Sequence, residues 1–369
     1  MSLKQYFTSE SVTEGHPDKV CDYIADSILD AYIGQDPCSH VACEAMAKTD
    51  KVILAGEITA NAQVDEEKIV RQAVREIGYT DDSEPFSANK LQVVKYLSGQ
   101  SREIGDAVGE TGGSCPELGA GDQGIMFGYA TDETPELMPL PILLAHRLAL
   151  GLARDRKNGG QPWLRPDGKT QVTVRYEDGR PVEVTHIIIA TQHTPAVDQE
   201  AITDYAAQAL LPRELGDWYN PNIQLQVNSS GSFIHGGPSA DCGLTGRKNI
   251  VDAYGGAIPH GGGALSGKDP SKVDRSAAYF CRYVARQAVQ AGVAKKIEIQ
   301  VAYTIGQPEP LAIGVKCFGT GDEKAAYAFV RSFSFRPAAI IDRLDLRRPI
   351  YKSTTNYGHF GRTGLPWEK

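Results

Sequence analysis

The run Gly261-Gly262-Gly263-Ala264-Leu265-Ser266-Gly267-Lys268-Asp269 is well suited to hold an anion. Glycines let backbone N–H groups approach phosphate oxygens closely, and a lysine adds a point charge. From Gly262 the run almost satisfies the pattern GxxxxGK(S/T), but Asp269 stands where a magnesium-holding hydroxyl belongs, which excludes a P-loop nucleotidase. Asp269 is expected instead to cap a helix beginning at Pro270, with Lys272 in its first turn. The free amides and positive dipole end of such a helix favour an anion. On the glycines alone a structural turn is equally expected; the two flanking lysines shift the expectation to phosphate.

Two further segments carry the same chemistry. In Gly15-His16-Pro17-Asp18-Lys19 a proton donor and a carboxylate sit where a helix should start, and a carboxylate is a hard ligand suited to magnesium. Alone, His16 would more often be a capping residue, and Asp18 a complement to the helix dipole. In Asp241-Cys242-Gly243-Leu244-Thr245-Gly246-Arg247-Lys248 two adjacent cations follow two glycines. Such a pair is usually solvated surface, yet Arg offers a planar fork and Lys a mobile charge for a polyphosphate.

The elements that must carry these residues follow from periodicity. Pro17 suits the first turn of a helix in which Val20, Ile24, Ile28 and Leu29 recur at helical spacing up to Gly34. Strands are expected over 41–48 and 52–59, and a helix over 66–77 that stops at Gly78. Further on, a helix over 137–152, a hairpin of 170–176 and 181–191 about Asp178-Gly179, and a helix over 198–210 are expected. The last third predicts a helix over 270–292, strands over 296–303 and 311–318, and a helix over 323–333. Residues 98–124 are glycine-rich without apolar period, as a lid or linker would be. Hairpins mixed with helices favour α+β layers over a parallel doubly wound sheet.

Bulk properties bound the function. A chain of 369 residues exceeds the usual size of a single core, so two or three packed units are expected. With 41% hydrophobic and 23% charged residues, neither disorder nor a fibrous architecture is favoured. A net charge of -8 argues against a general nucleic-acid binder. No cationic-then-apolar leader stands at the N-terminus, and the apolar run 137–153 is broken by His146 and Arg147, so neither export nor membrane insertion is expected. Seven cysteines without CxxC pairs read as reduced thiols of a cytoplasmic protein.

Several segments together resemble the S-adenosylmethionine synthetase family, bacterial type. They are SESVTEGHPDK from Ser9, VACE from Val41, GEIT from Gly56, GAGDQGIMFGYATDET from Gly119, WLRPDGKTQV from Trp163, DCGLTGRK from Asp241, YGGAIPHGGGALSGKDPSKVDRSAAY from Tyr254, and YGHFGR from Tyr357. The coverage runs end to end. The resemblance implies three similar domains, each with a mixed or antiparallel sheet and helices on one face: 2–101, 119–234 and 235–369, with a gate loop at 102–118 ahead of the second.

The activity so implied is methionine adenosyltransferase: the methionine sulfur displaces tripolyphosphate from the 5′-carbon of ATP, and the tripolyphosphate is then hydrolysed to pyrophosphate and phosphate. By motif match, His16, Lys169, Arg247, Lys248, Lys268 and Lys272 are the catalytic set. ATP would be held by His16, Asp167, Gly168, Lys169, Ser232, Phe233, Asp241, Arg247, Lys248, Ala264 and Lys268. Glu57, Gln100, Asp241 and Lys272 would bind L-methionine. Asp18 and Asp274 would hold two magnesium ions per site, and Glu44 potassium. The resemblance further implies a homodimer or dimer of dimers with active sites between subunits. A tripolyphosphate hydrolase and a noncatalytic regulatory paralogue are the alternatives. Ser232 replaces the arginine usual in the family, which predicts retuned nucleotide binding without loss of turnover.

Overall fold

The computed structural model describes residues 3–99 and 119–369. The expected gate loop therefore lies outside the described residues, as does Gln100. Chain order begins with β1 (Lys4–Val12), α1 (Pro17–Gln35), the antiparallel pair β2 (His40–Lys48) and β3 (Lys51–Thr59), α2 (Glu66–Ile77) and β4 (Gln92–Ser98). The central stretch gives β5 (Gly124–Thr131), α3 (Leu140–Lys157), β6 (Leu164–Glu177), β7 (Arg180–His193), α4 (Gln199–Tyr205) and β8 (Gln224–Val227). The last third contributes β9 (Gly243–Leu244), α5 (Val273–Gln290), β10 (Lys296–Tyr303), β11 (Ala312–Lys316), α6 (Glu323–Arg331) and α7 (Pro337–Leu344).

Local chemistry accounts for the boundaries. Pro17 opens α1, and Val20, Ile24, Ile28 and Leu29 are all fully buried. Asp65 caps α2 by accepting from the Lys68 N–H, and the helix stops at Gly78 with φ 111°, a conformation that costs glycine little. Asp178 and Gly179 both take positive φ and turn β6 into β7, as a two-residue hairpin with right-handed strand twist requires.

The strands form three sheets with helices packed on them, in the orders β4-β3-β2-β9, β1-β6-β7-β8 and β11-β10-β5. Each sheet borrows one strand from a distant segment: β9 joins the N-terminal sheet, β1 the central one, and β5 the C-terminal one. The apolar interior forms two clusters. One runs continuously through α1, β2, β3, α2, α5 and β10, and the other lies between α3, α4, β6 and β7.

The opening residues, for which periodicity predicts no element, form strand β1; its inward positions include Ser9 and Ser11, which bond the Gly255 carbonyl and His146, so it carries no apolar alternation to read. Three expectations differ from the structure. The helix expected at residue 270 starts at Val273 with Lys272 at its cap position, so Asp269 does not cap it. The Asp269 carboxylate is taken by the N–H groups of Val41 and Ser271 and by the Lys272 ammonium. Leu137 has φ 57°, which delays the third helix to Leu140. The helix expected over 198–210 widens into a π turn at Ala206–Leu210 ahead of Pro212, whose missing N–H cannot bond back into the preceding turn.

Candidate active site

Pairing of β1 with β6 sets Val12 opposite Lys169, and the chain beyond β1 stays on β6. The Thr13 N–H donates to the Gly168 carbonyl at 2.9 Å, and the Thr13 hydroxyl to the Pro166 carbonyl at 2.6 Å. Gly15 fits flat against Pro166, where a Cβ would lie 2.3 Å from the carbonyl carbon. His16 is thereby delivered beside Asp167, Gly168 and Lys169. Its Nδ1 accepts the Asp18 N–H at 3.2 Å at the start of α1, so a neutral ring carries its proton on Nε2. Burial, and then the nearby Lys248 charge, push the His16 pKa down to about 3.

Asp18 gathers the cations. Its carboxylate accepts the Leu244 N–H at 3.1 Å, pairs with Lys248 at 2.7 Å, and lies 3.6 Å from the exposed Arg247 guanidinium. Burial alone would raise the Asp18 carboxyl, but Lys248 and the amide hold it below the usual carboxylate range. Asp167 is buried, which pushes its carboxyl up to about 6, and it accepts the Gly237 N–H at 2.8 Å. Gln192 accepts the Asp167 N–H and donates to the Ile234 carbonyl, while the His193 N–H donates to the Phe233 carbonyl and the Phe233 N–H to His193 Nε2. Phe233 is half-buried, whereas Ser232 and Asp241 are exposed.

A second group forms around the glycine run. Lys268 bridges Ala42 on β2, and its ammonium reaches Asp274 at 2.6 Å. Gly263 passes over that carboxylate, where a Cβ would come within 2.2 Å. Lys272 pairs with Asp269 at 2.8 Å. Opposite Ala42 on β3 stands Glu57, so Glu57, Ala42 and Lys268 lie side by side across the sheet. Glu44 faces the same open side, two residues along β2. The two groups meet where Asn249 donates to the Gly262 carbonyl at 3.1 Å and Gly246 abuts Ala264.

Residues 4–102, 117–233 and 235–369 match, in turn, the N-terminal, central and C-terminal domains of S-adenosylmethionine synthetase. The chain is 54% identical to an S-adenosylmethionine synthase of Akkermansia muciniphila over 98% of its own length and 94% of the relative. Synthases of Desulfosudis oleivorans and Thermus thermophilus are 53% and 51% identical over all of this chain and 96% and 97% of theirs. The chain belongs to the S-adenosylmethionine synthetase family.

Within that family frame, the donor sets can be tested against magnesium. No group of three or more His, Cys, Asp or Glu side chains suited to a metal occurs among the described residues. Asp18 and Asp274 instead stand singly, each against a lysine. Single carboxylates fit magnesium, which is commonly held by one or two carboxylates plus substrate phosphates. Glu44 supplies one exposed carboxylate, too little by itself for a potassium cage.

Sequence reasoning missed the charges behind the site. Lys19 is buried between Asp22 and Asp252 at 3.1 and 2.6 Å, and Arg275 grips Asp26 with both terminal nitrogens in a fully enclosed pair. Burial pushes the Asp252 carboxyl up to about 7. The available signal was Asp18, Asp22, Asp26 and Asp30, spaced by four along a helix that also carries Val20, Ile24, Ile28 and Leu29 at core positions.

Proposed function

We propose that this enzyme transfers the adenosyl group of ATP to the sulfur of L-methionine and then hydrolyses the tripolyphosphate. The observation that carries the proposal is the convergence of His16, Arg247 and Lys248 about Asp18, with Lys169 beside His16. A thioether attacks carbon without first losing a proton, so the residues need not form a nucleophile-base pair. Their task is to receive a highly charged leaving group, and preorganised cations do this without reorganising at the moment of reaction. A neutral His16 suits that role as a hydrogen-bond donor through Nε2, not as an acid. Magnesium, when bound through Asp18 and Asp274, would offset charge on the phosphates. Asp167 and Phe233 would hold the adenosine, Glu57, Asp241, Lys272 and Gln100 the methionine, and Glu44 would contribute to a potassium site.

We further propose that two copies of the chain complete each site. The open face of the N-terminal sheet, which bears Glu44 and Glu57, also exposes Met46 at 37%, Leu244 at 37% and Tyr96 at 69%. Apolar side chains interleaved with site carboxylates favour coverage by a second subunit. No helix among the described residues is long and apolar enough to cross a membrane; a cytoplasmic location is part of the proposal.

One incubation tests the proposal: pure protein with ATP, methionine, magnesium and potassium, assayed for sulfonium product and for phosphate. Equimolar product and phosphate are expected. A parallel incubation with tripolyphosphate alone separates the alternatives: phosphate from tripolyphosphate without sulfonium from ATP would mark a hydrolase, and neither product would mark a noncatalytic subunit.

A further inference from the structure

Asp18, Asp22, Asp26 and Asp30 recur at every fourth residue and share one face of α1. Asp22 and Asp26 are wholly enclosed, and charges so buried persist only where paired and hydrogen-bonded. Each accepts the N–H of a glycine that immediately precedes a proposed phosphate-binding cation. Asp22 Oδ1 takes that of Gly246, ahead of Arg247 and Lys248, at 2.8 Å. Asp26 Oδ1 takes that of Gly267, ahead of Lys268, also at 2.8 Å.

Both glycines have positive φ, 79° and 81°. A Cβ on Gly246 would lie 2.5 Å from the Ala264 Cβ, and one on Gly267 would lie 2.0 Å from the Cys43 carbonyl oxygen. The carboxylates are themselves fixed from behind. Lys19 pairs with Asp22 while retaining Asp252, and Arg275 grips Asp26 while donating to the Lys268 carbonyl at 3.1 Å.

We infer that Asp22 and Asp26 are positioning residues, buried acceptors one helical turn apart that fix the two loops from which Arg247, Lys248 and Lys268 act on the triphosphate. The inference rests on the function proposed above for those cations. Without the acceptors, each loop would have to be ordered when the substrate arrives. With them, the charges stand ready.

Inorganic tripolyphosphate with magnesium is the probe, titrated calorimetrically into full-length wild type, Lys268→Ala, Asp22→Ala and Asp22→Asn, with methionine KM and melting midpoint measured alongside. Tripolyphosphate bound by Lys268→Ala as tightly as by wild type would show the cation assignment itself to be wrong, and the inference would fall with it. With that control weakened, Asp22→Ala is expected to bind tripolyphosphate roughly tenfold more weakly while methionine KM moves less than about twofold. Asp22→Asn keeps an oxygen for Gly246 and is expected to recover most of the affinity. Unchanged tripolyphosphate affinity in Asp22→Ala, or equal loss in the Ala and Asn variants, overturns the inference. If Asp22→Ala does not fold, Asp22→Val, which also withdraws the acceptor but fills more of the enclosed space, carries the same expectation and the same refutation.

Discussion

The His16 ring gains an acceptor role toward the Asp18 amide only by staying neutral, and both its burial and Lys248 keep it so. Its folded pKa of about 3 lies below the ordinary histidine value, so the unfolded chain binds the proton first on acidification. The stability His16 contributes is thus fully present above about pH 6.5 and is lost as the pH falls toward the folded value, by up to about 1.4 kcal/mol per pH unit. Chemical denaturation of wild type and His16→Asn between pH 6 and 5 checks this; the wild type should show the steeper loss, and parallel curves would contradict a neutral ring. Lys268 presents the complementary case. Its ammonium is held by Asp274 on the rim of the glycine run. If it acts on the departing phosphates, Lys268→Ala lowers kcat by roughly 10²-fold. An unimpaired variant would assign the run to structure.

Among the elements, the β1–β6 pairing decides more of the site than any motif, because it is what lays the Thr13–His16 turn against Pro166–Lys169. Gly15 is the narrowest point of that contact. Gly15→Ala places a Cβ inside the Pro166 backbone, so the turn and β6 must separate and carry His16 away from Lys169. The expected outcome is a loss of about 1–3 kcal/mol in unfolding free energy, the usual cost of overpacking, with a larger proportional fall in kcat than in stability. Equilibrium unfolding and steady-state kinetics on the same preparation measure both. Helix α1 contributes from the other side: its apolar residues are buried in the larger core, and Asp18, Asp22 and Asp26 face the loops that bear the cations.

On the scale of the whole molecule, the three sheets are interlocked by exchange of β1, β5 and β9 between distant segments. A disturbance in one sheet therefore reaches the next through the backbone. The open face bearing Glu44 and Glu57 is the surface proposed above for a second subunit. Met46 and Leu244 are cross-strand neighbours on it. Replacing both by arginine is expected to yield a monomer with little activity, while the melting midpoint of the single chain shifts by only a few degrees, as surface changes do. Sedimentation velocity with the product assay decides; a fully active variant of unchanged mass would refute the shared site.

Sequence alone determined what local chemistry controls. Periodic apolar residues and Pro17 specified α1, Asp65 and Gly78 bounded α2, and the Asp178-Gly179 pair specified the hairpin between β6 and β7. The motifs also named the charged residues of the proposed phosphate site, since residue type is what such a site selects. Tertiary structure decided the rest, because the deciding bonds join residues far apart in the chain. Val41 and Lys272 drew the Asp269 carboxylate away from a capping role, and a strand with serines facing inward paired across more than 150 positions. The buried partners of Asp22 and Asp26 were equally hidden. A carboxylate is costly to enclose until a glycine amide and a cation arrive from elsewhere, and only the fold brings them.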